Sequence, residues 1–479
     1  MASVSGIKSF FGRLMSMDLL SIPVVRRLVM HRAFQWAVMV PNLIIFWFLI
    51  TAGFIGSPVG NMNISITFVW MLWWFALIAI LVPFFGRAWC TICPLPALGE
   101  WLQRGSMVRK PDAWRPRGLN RRWPRRLNNI WLQNIGFLIL ASFSALLVTR
   151  PIVTAIVLGG LILVATIVML VYSKRAFCRY LCPVGGFIGL FSNFSSIELR
   201  VKDGELCKNH IDKECIRGSD TSFGCPWYEY PGSLVRNAYC GLCFECVKAC
   251  PFNNIRLNLR GFGKDLIVSR GKGFDETWKV FIMLALAGVY IVTMQGPWGW
   301  IRDLANVFYK PPYGFALAGI DGYLIYLGLV WGSTLLILPG LFYIFSIASK
   351  YLSKTDTSAS ELFKTFSYML VPLTLMAWIA FSIPILQVNW AYIVNTLSDP
   401  FGWGWNLFGT RDIHWSPILP GLIPYEQVAV ILVGVFYSVK VGYEMAREKF
   451  VEDRALLGFS PYLIFTFLAA IFFIWLFLG

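Results

Sequence analysis

The sequence predicts a polytopic α-helical membrane protein interrupted by one small polar domain. Composition is the first reason: of 479 residues, 57% are hydrophobic, 16% aromatic and only 14% charged. Soluble domains carry about 45–50% apolar and about 25% charged residues. The second reason is a series of runs of about 18–22 nearly uncharged residues, each long enough to cross a bilayer. The third is the charge balance of +17, from 42 Lys+Arg against 25 Asp+Glu. In a membrane chain such an excess collects on cytoplasmic loops, so no nucleic-acid partner is needed to explain it. An ordinary soluble enzyme, a disordered chain and a disulfide scaffold are all excluded.

Taken in order, residues 1–32 hold Lys8, Arg13, Arg26, Arg27 and Arg32 without a cleavable apolar core, and predict a cytoplasmic lead-in. Nine spans follow, at roughly 33–55, 66–85, 131–149, 152–172, 278–296, 322–348, 366–387, 426–443 and 461–479. The loop after the second span holds ten basic residues: Arg87, Arg104, Arg109, Lys110, Arg115, Arg117, Arg121, Arg122, Arg125 and Arg126. The loops after the first, third, fifth and seventh spans together hold four: Arg150, Arg302, Lys310 and Arg411. The positive-inside rule therefore puts the N-terminus in the cytoplasm of a prokaryotic inner membrane. The domain order is a lead-in (1–32), a four-span membrane domain (33–173), a polar cytoplasmic domain (174–277) and a five-span membrane domain of unassigned role (278–479).

All eleven cysteines fall between positions 90 and 250, and none lies in an outer loop where structural disulfides form. The strongest signal is Cys240-Gly-Leu-Cys243-Phe-Glu-Cys246-Val-Lys-Ala-Cys250-Pro251, a C-x2-C-x2-C-x3-C-P run. That spacing is the bacterial ferredoxin pattern, whose fourth cysteine ligates the second of two clusters. Structural zinc sites separate two CxxC pairs by about 15–20 residues, which this run does not. Cys240, Cys243 and Cys246 then need a remote fourth ligand, and Cys225-Pro226 supplies one. A second cluster takes Cys250 with Cys207 and Cys215, whose spacing is looser. One of its ligands is missing; Cys182, His210 and a non-cysteine group are the candidates, and a three-iron cluster or a single-cluster protein the alternatives.

A second motif is repeated. Gly86-Arg87-Ala88-Trp89-Cys90-Thr91-Ile92-Cys93-Pro94 closes the second span, and Lys174-Arg175-Ala176-Phe177-Cys178-Arg179-Tyr180-Leu181-Cys182-Pro183 closes the fourth. Each copy reads basic residue, Ala, aromatic, Cys, then Cys-Pro, with one residue more between the cysteines of the second. Both copies sit at the cytoplasmic membrane surface by the charge argument, so the four thiols can converge. A bound metal, a further cluster, a redox-active dithiol and inert buried thiols are the readings.

The paired Cys-Pro motifs followed by the ferredoxin run resemble the membrane-bound polyferredoxin superfamily. Its members include the ferredoxin-type quinol dehydrogenase membrane subunit of periplasmic nitrate reductase and the nitrous-oxide reductase regulator. The stretch Gly224-Cys225-Pro226-Trp227 through Tyr239-Cys240-Gly241-Leu242-Cys243 resembles an iron–sulfur-binding membrane subgroup. The resemblance covers about residues 34–260 and implies cytoplasmic 4Fe-4S clusters and electron exchange with a quinone pool or membrane partner. Cys90–Cys93 is one residue shorter than the family spacing, no flavin-attachment domain is found, and the five C-terminal spans have no counterpart.

Absences narrow the chemistry. The only histidines are His31, His210 and His414, too few for paired transmembrane haem ligation, and no C-x-x-C-H attaches a c-type haem. Neither a phosphate-binding loop nor a dinucleotide glycine fingerprint occurs. The outer loop 388–425, with Trp390, Trp403, Trp405, His414, Trp415, Asp399 and Asp412, reads as an aromatic belt, with a quinone pocket the alternative. Glu426, at the start of the eighth span, is a second candidate there. The basic stretch Arg104–Arg126 suits anionic lipid, with docking of a soluble electron carrier the other reading.

These readings predict a polytopic membrane protein of about nine spans with a cytoplasmic bacterial-type ferredoxin-like insert. It relays single electrons, with two 4Fe-4S clusters and no haem or covalent flavin, between a soluble carrier and the quinone pool or a membrane redox partner. The alternative is a redox-sensing or metal-reducing assembly protein that works through Cys90, Cys93, Cys178 and Cys182.

Overall fold

The computed structural model describes residues 17–108, 110, 116–220, 222–295 and 320–478. Lys8, Arg13, Arg109, Arg115, Arg302 and Lys310 lie outside the described residues. Among the described residues, eight helices are long and apolar enough to cross a membrane: Phe34–Ile55, Ile64–Phe85, Pro151–Val171, Phe274–Gln295, Tyr323–Ser353, Ala359–Ser398, Pro420–Lys449 and Glu452–Leu478. Pro41, Pro384 and Pro461 are carried inside helices.

The predicted span 131–149 is instead two shorter helices, Trp131–Ser142 and Ser144–Thr149, interrupted at Phe143. Serines flank the break and hold it through hydrogen bonds. The Trp331 indole N–H donates to Ser142 at 2.9 Å, and the Ser144 hydroxyl pairs with that of Tyr326 at 2.7 Å. The predicted span 366–387 runs on to Ser398, so the aromatic loop begins at Asp399 rather than 388. There the Asp399 carboxylate accepts from the backbone N–H of Trp403 and Gly404 at 2.9 and 2.7 Å.

The chain divides into two compact units that interleave in sequence: 1–47, 80–133 and 159–270 form one, and 48–79, 134–158 and 271–479 the other. The first unit contains all eleven cysteines. Its only regular sheet among the described residues is a two-stranded antiparallel pair, β1 (Ile197–Val201) and β2 (Ile255–Leu259), with Leu199 opposite Leu257. Two strands alone are marginal in water. This pair is stabilised by a core in which Leu199, Leu257, Leu242, Phe244 and Val247 are buried, with Cys215, Cys240 and Cys250 packed against it. The Asp18 carboxylate ties in the N-terminal segment by accepting from Leu257 N–H at 3.0 Å.

The second unit is a helix bundle with an aromatic centre, where Phe342 lies 5.4 Å from Phe281, 4.9 Å from Phe465 and 5.3 Å from Tyr462. Small residues let its helices approach closely. A Cβ at Gly434 would stand 3.0 Å from the Leu373 backbone, and one at Gly442 2.6 Å from the Phe459 ring.

Candidate iron–sulfur sites

The C-x2-C-x2-C run folds into a loop of alternating backbone hand. Leu242 and Phe244 have φ of +52° and +60°, which costs an L-residue about 1–2 kcal/mol each. Such alternation turns successive N–H groups to one side and makes an anion-binding concavity. The backbone of Leu242 acts to lower the Cys240 thiol, and that of Glu245 to lower the Cys243 thiol, against the effect of burial. Cys225, from the remote Cys-Pro, has its thiol raised by burial and lowered in part by the backbone of Trp227 and Glu229, on either side of Tyr228, whose φ is +60°.

Cys225, Cys240, Cys243 and Cys246 line one cavity together with Leu199, Trp227, Glu229, Pro231, Leu234 and Phe244. These are the four residues expected to share a cluster. Burial pushes the Cys240 thiol up to about 12 and raises Cys243 and Cys246 further, with the neighbouring Cys225 adding to all three. Four thiolates cannot coexist in such a space unless a cationic centre sits among them. Trp227 is 1% exposed and its indole N–H has no hydrogen-bond partner among the described residues. Soft donors around an apolar cavity, with that N–H to spare, fit an iron–sulfur group.

Cys207, Cys215 and Cys250 line a second cavity, together with His210 and Tyr230. The Asn254 amide donates to Cys207 Sγ at 3.2 Å and the Asn254 N–H to Cys250 Sγ at 3.4 Å. Burial, then the neighbouring Cys207 and Cys250, push the Cys215 thiol up to about 11. The two cavities adjoin: Cys225 N–H donates to the Cys215 carbonyl at 2.8 Å. Cys246 and Cys250 also stand at the two ends of one short helix, Glu245–Ala249, about 6 Å apart along its axis.

The repeated motif builds a third group. Cys90 lies in the short helix Trp89–Ile92 with Cys93 as its cap, and Cys178 lies in the turn Phe177–Leu181 with Cys182 as its cap. The extra residue of the second copy is absorbed by a π-turn, in which Cys182 N–H bonds Phe177 O at 2.8 Å. Burial is the largest effect raising the Cys178 thiol, and the neighbouring Cys182, Cys93 and Cys90 add to it against Arg175. The convergence is thus electrostatic as well as topological, while Cys182 is not among the residues lining the second cavity. Among the described residues, no three or more His, Cys, Asp or Glu gather tightly enough to hold a single metal ion.

The arginines of the repeat cross over. Arg87 donates to the Cys178 carbonyl at 3.3 Å and Arg175 to the Cys90 carbonyl at 2.8 Å, so each copy braces the cysteine of the other. Arg87 Nε also reaches Cys90 Sγ at 3.4 Å. Arg175 is fully buried and paired in a fork with Glu100, at 3.0 and 2.5 Å. The Trp227 ring lies 4.5 Å from the Arg87 guanidinium and 5.8 Å from that of Arg175. Thr91 donates to the Gly241 carbonyl of the ferredoxin loop. One indole and two guanidinium groups thereby join the repeat to the four-cysteine cavity. Sequence reasoning did not assign Trp227, Glu100 or the two arginines; the basic position shared by both copies was the available signal.

A family model described as a 4Fe-4S binding domain matches the chain over residues 66–122 and 155–202. Each match contains one Cys-Pro pair of the repeat. The chain is 28% identical over 139 residues to the methylamine utilization ferredoxin-type protein MauN of Paracoccus denitrificans, covering 26% of this chain and 45% of MauN. It is 30% identical over 125 residues to the "Putative electron transport protein YccM" of Escherichia coli, 25% of this chain and 32% of YccM.

The family match and these relatives support a polyferredoxin-like 4Fe-4S membrane protein. The polyferredoxin resemblance read from the sequence is borne out. The chain matches less than half the length of either relative. No solved structure matches it.

Proposed function

We propose that this protein relays single electrons between a soluble carrier and the quinone pool or a membrane redox partner. In this reading Cys225, Cys240, Cys243 and Cys246 hold one cluster, and Cys207, Cys215 and Cys250 hold most of a second. Cys90, Cys93, Cys178 and Cys182 form an additional cluster or dithiol site at the membrane edge. A 4Fe-4S group in such a cavity takes up and gives back one electron at a time. The observation that carries the reading is the adjacency of the two cavities through one helical turn and the Cys225–Cys215 backbone bond.

The protein's own residues have distinct tasks. Leu199, Leu234 and Phe244 keep water from the first cavity. The amides of Leu242, Glu245, Trp227 and Glu229 stabilise thiolate charge. Arg87 and Arg175 put buried positive charge between that cavity and the repeat thiols, where Trp227 fills the intervening space. The positive-inside rule puts this assembly at the cytoplasmic face, with the basic stretch after Arg104 against anionic lipid. Cys243→Ser tests the reading: electron flow into the membrane is lost while the protein remains inserted. Unchanged flow contradicts it.

A further inference from the structure

The second cavity is one ligand short, and its walls name the replacement. We propose that His210 is the fourth protein ligand of the cluster held by Cys207, Cys215 and Cys250. The proposal rests on those cysteines being cluster ligands. A ferredoxin run places its second ligand three residues after its first, as Cys243 follows Cys240. Three residues after Cys207 stands His210. Cys215 and Cys225-Pro226 then take the third and fourth positions of a run stretched by longer loops. Cys225 completes the other site, as the fourth cysteine of such a run does.

Local structure holds His210 at that point. Asp203 caps the helix Gly204–Asn209, accepting from Glu205 and Leu206 N–H at 2.8 and 3.2 Å. His210 is the C-cap of the same helix, its N–H donating to Leu206 O at 3.1 Å. One turn of helix therefore presents Cys207 and His210 to the same cavity, which both residues line. The imidazole meets the Phe252 ring edge-on at a centroid distance of 5.1 Å.

Elimination supports the same residue. Apart from the three cysteines, the cavity is lined by apolar side chains, His210 and Tyr230. The Tyr230 hydroxyl is committed as donor to the Cys207 carbonyl at 2.5 Å. Imidazole nitrogen is thus the remaining ligand-competent atom on the wall. Exchanging a thiolate for a neutral imidazole removes negative charge from the group it holds and raises its reduction potential, as histidine ligation does in Rieske centres. The two adjoining sites then differ in potential, the His210 site being the easier to reduce.

The test uses the full-length protein purified anaerobically, with natural-abundance and 15N-histidine labelling. Pulsed EPR of the reduced protein is expected to show a histidine nitrogen coupling that changes with the isotope. His210→Cys is expected to abolish that coupling at unchanged iron content and to lower the potential of one cluster. His210→Ala is expected to lose the coupling without restoring the cysteine-type potential. Protein with two loaded clusters and no histidine coupling overturns the assignment of His210 alone. Protein that binds no iron overturns the cluster reading, and this assignment with it.

Discussion

Glu100→Gln gives a quantitative test of the buried frame around the cysteines. Glu100 is 2% exposed and Arg175 fully buried, and the two share a fork of bonds at 3.0 and 2.5 Å. Arg104 adds a third contact at 2.7 Å. The substitution keeps the shape and one acceptor oxygen but removes the charge, leaving the Arg175 guanidinium buried without a carboxylate counter-ion, beside the Cys90 carbonyl and the Trp227 face. Breaking a buried pair in this way costs about 3–5 kcal/mol. For a unit of this size, each kcal/mol lowers the melting temperature by about 2–4 °C, so a drop of about 6–20 °C is expected. Thermal unfolding in detergent at neutral pH measures it.

The same pair sets a pH dependence. Burial alone would raise the Glu100 carboxyl, but Arg104 and Arg175 hold it below the usual carboxylate range. Its contribution is therefore present above the unfolded value of about 4.3 and is lost as pH falls through the depressed folded value. The wild-type and Glu100→Gln melting curves should converge in acid. A neutral-pH drop of less than about 2 °C, or a gap that persists in acid, refutes the reasoning.

Three further outcomes are expected. Gly241→Ala drives a methyl group into the Trp227 ring and should cost about 1–3 kcal/mol or more, with iron lost from the four-cysteine cavity, measured by melting and iron content. Lys354→Gly relieves an exposed left-handed residue (φ +49°) at the end of the helix Leu338–Ser353 and should stabilise the protein by about 0.5–1 kcal/mol, read by thermal unfolding. Serine at Cys90, Cys93, Cys178 and Cys182 together should leave the EPR signals of the two ferredoxin-type sites in place while abolishing electron transfer to the membrane acceptor.

The spans and the ferredoxin loop were legible because their information is local. Hydropathy marks a span within its own 20 residues, and C-x2-C-x2-C sets a loop whose left-handed Leu242 and Phe244 follow from placing three sulfurs on one side. The remote Cys225 was legible from the following proline. What escaped depends on contacts between distant segments. Trp227 acquires its place from Arg87, Arg175 and Gly241, three positions scattered over about 150 residues. The crossing of the two arginines onto opposite copies of the repeat needs the pseudo-symmetric packing to exist first. The break at Phe143 was hidden because its stabilising hydroxyl and indole partners, Tyr326 and Trp331, lie nearly 200 residues away. The one-residue difference between Cys90–Cys93 and Cys178–Cys182 has a backbone explanation in the π-turn, which spacing alone does not disclose.

The central claim is that two adjoining cysteine-lined cavities each hold a cluster. Iron and acid-labile sulfide per chain, with EPR of the reduced, anaerobically purified protein, test it most directly. The account predicts at least about eight of each, with spin-coupled signals from neighbouring 4Fe-4S centres. Intact, inserted protein that holds about four or fewer, or shows no coupling between centres, contradicts it.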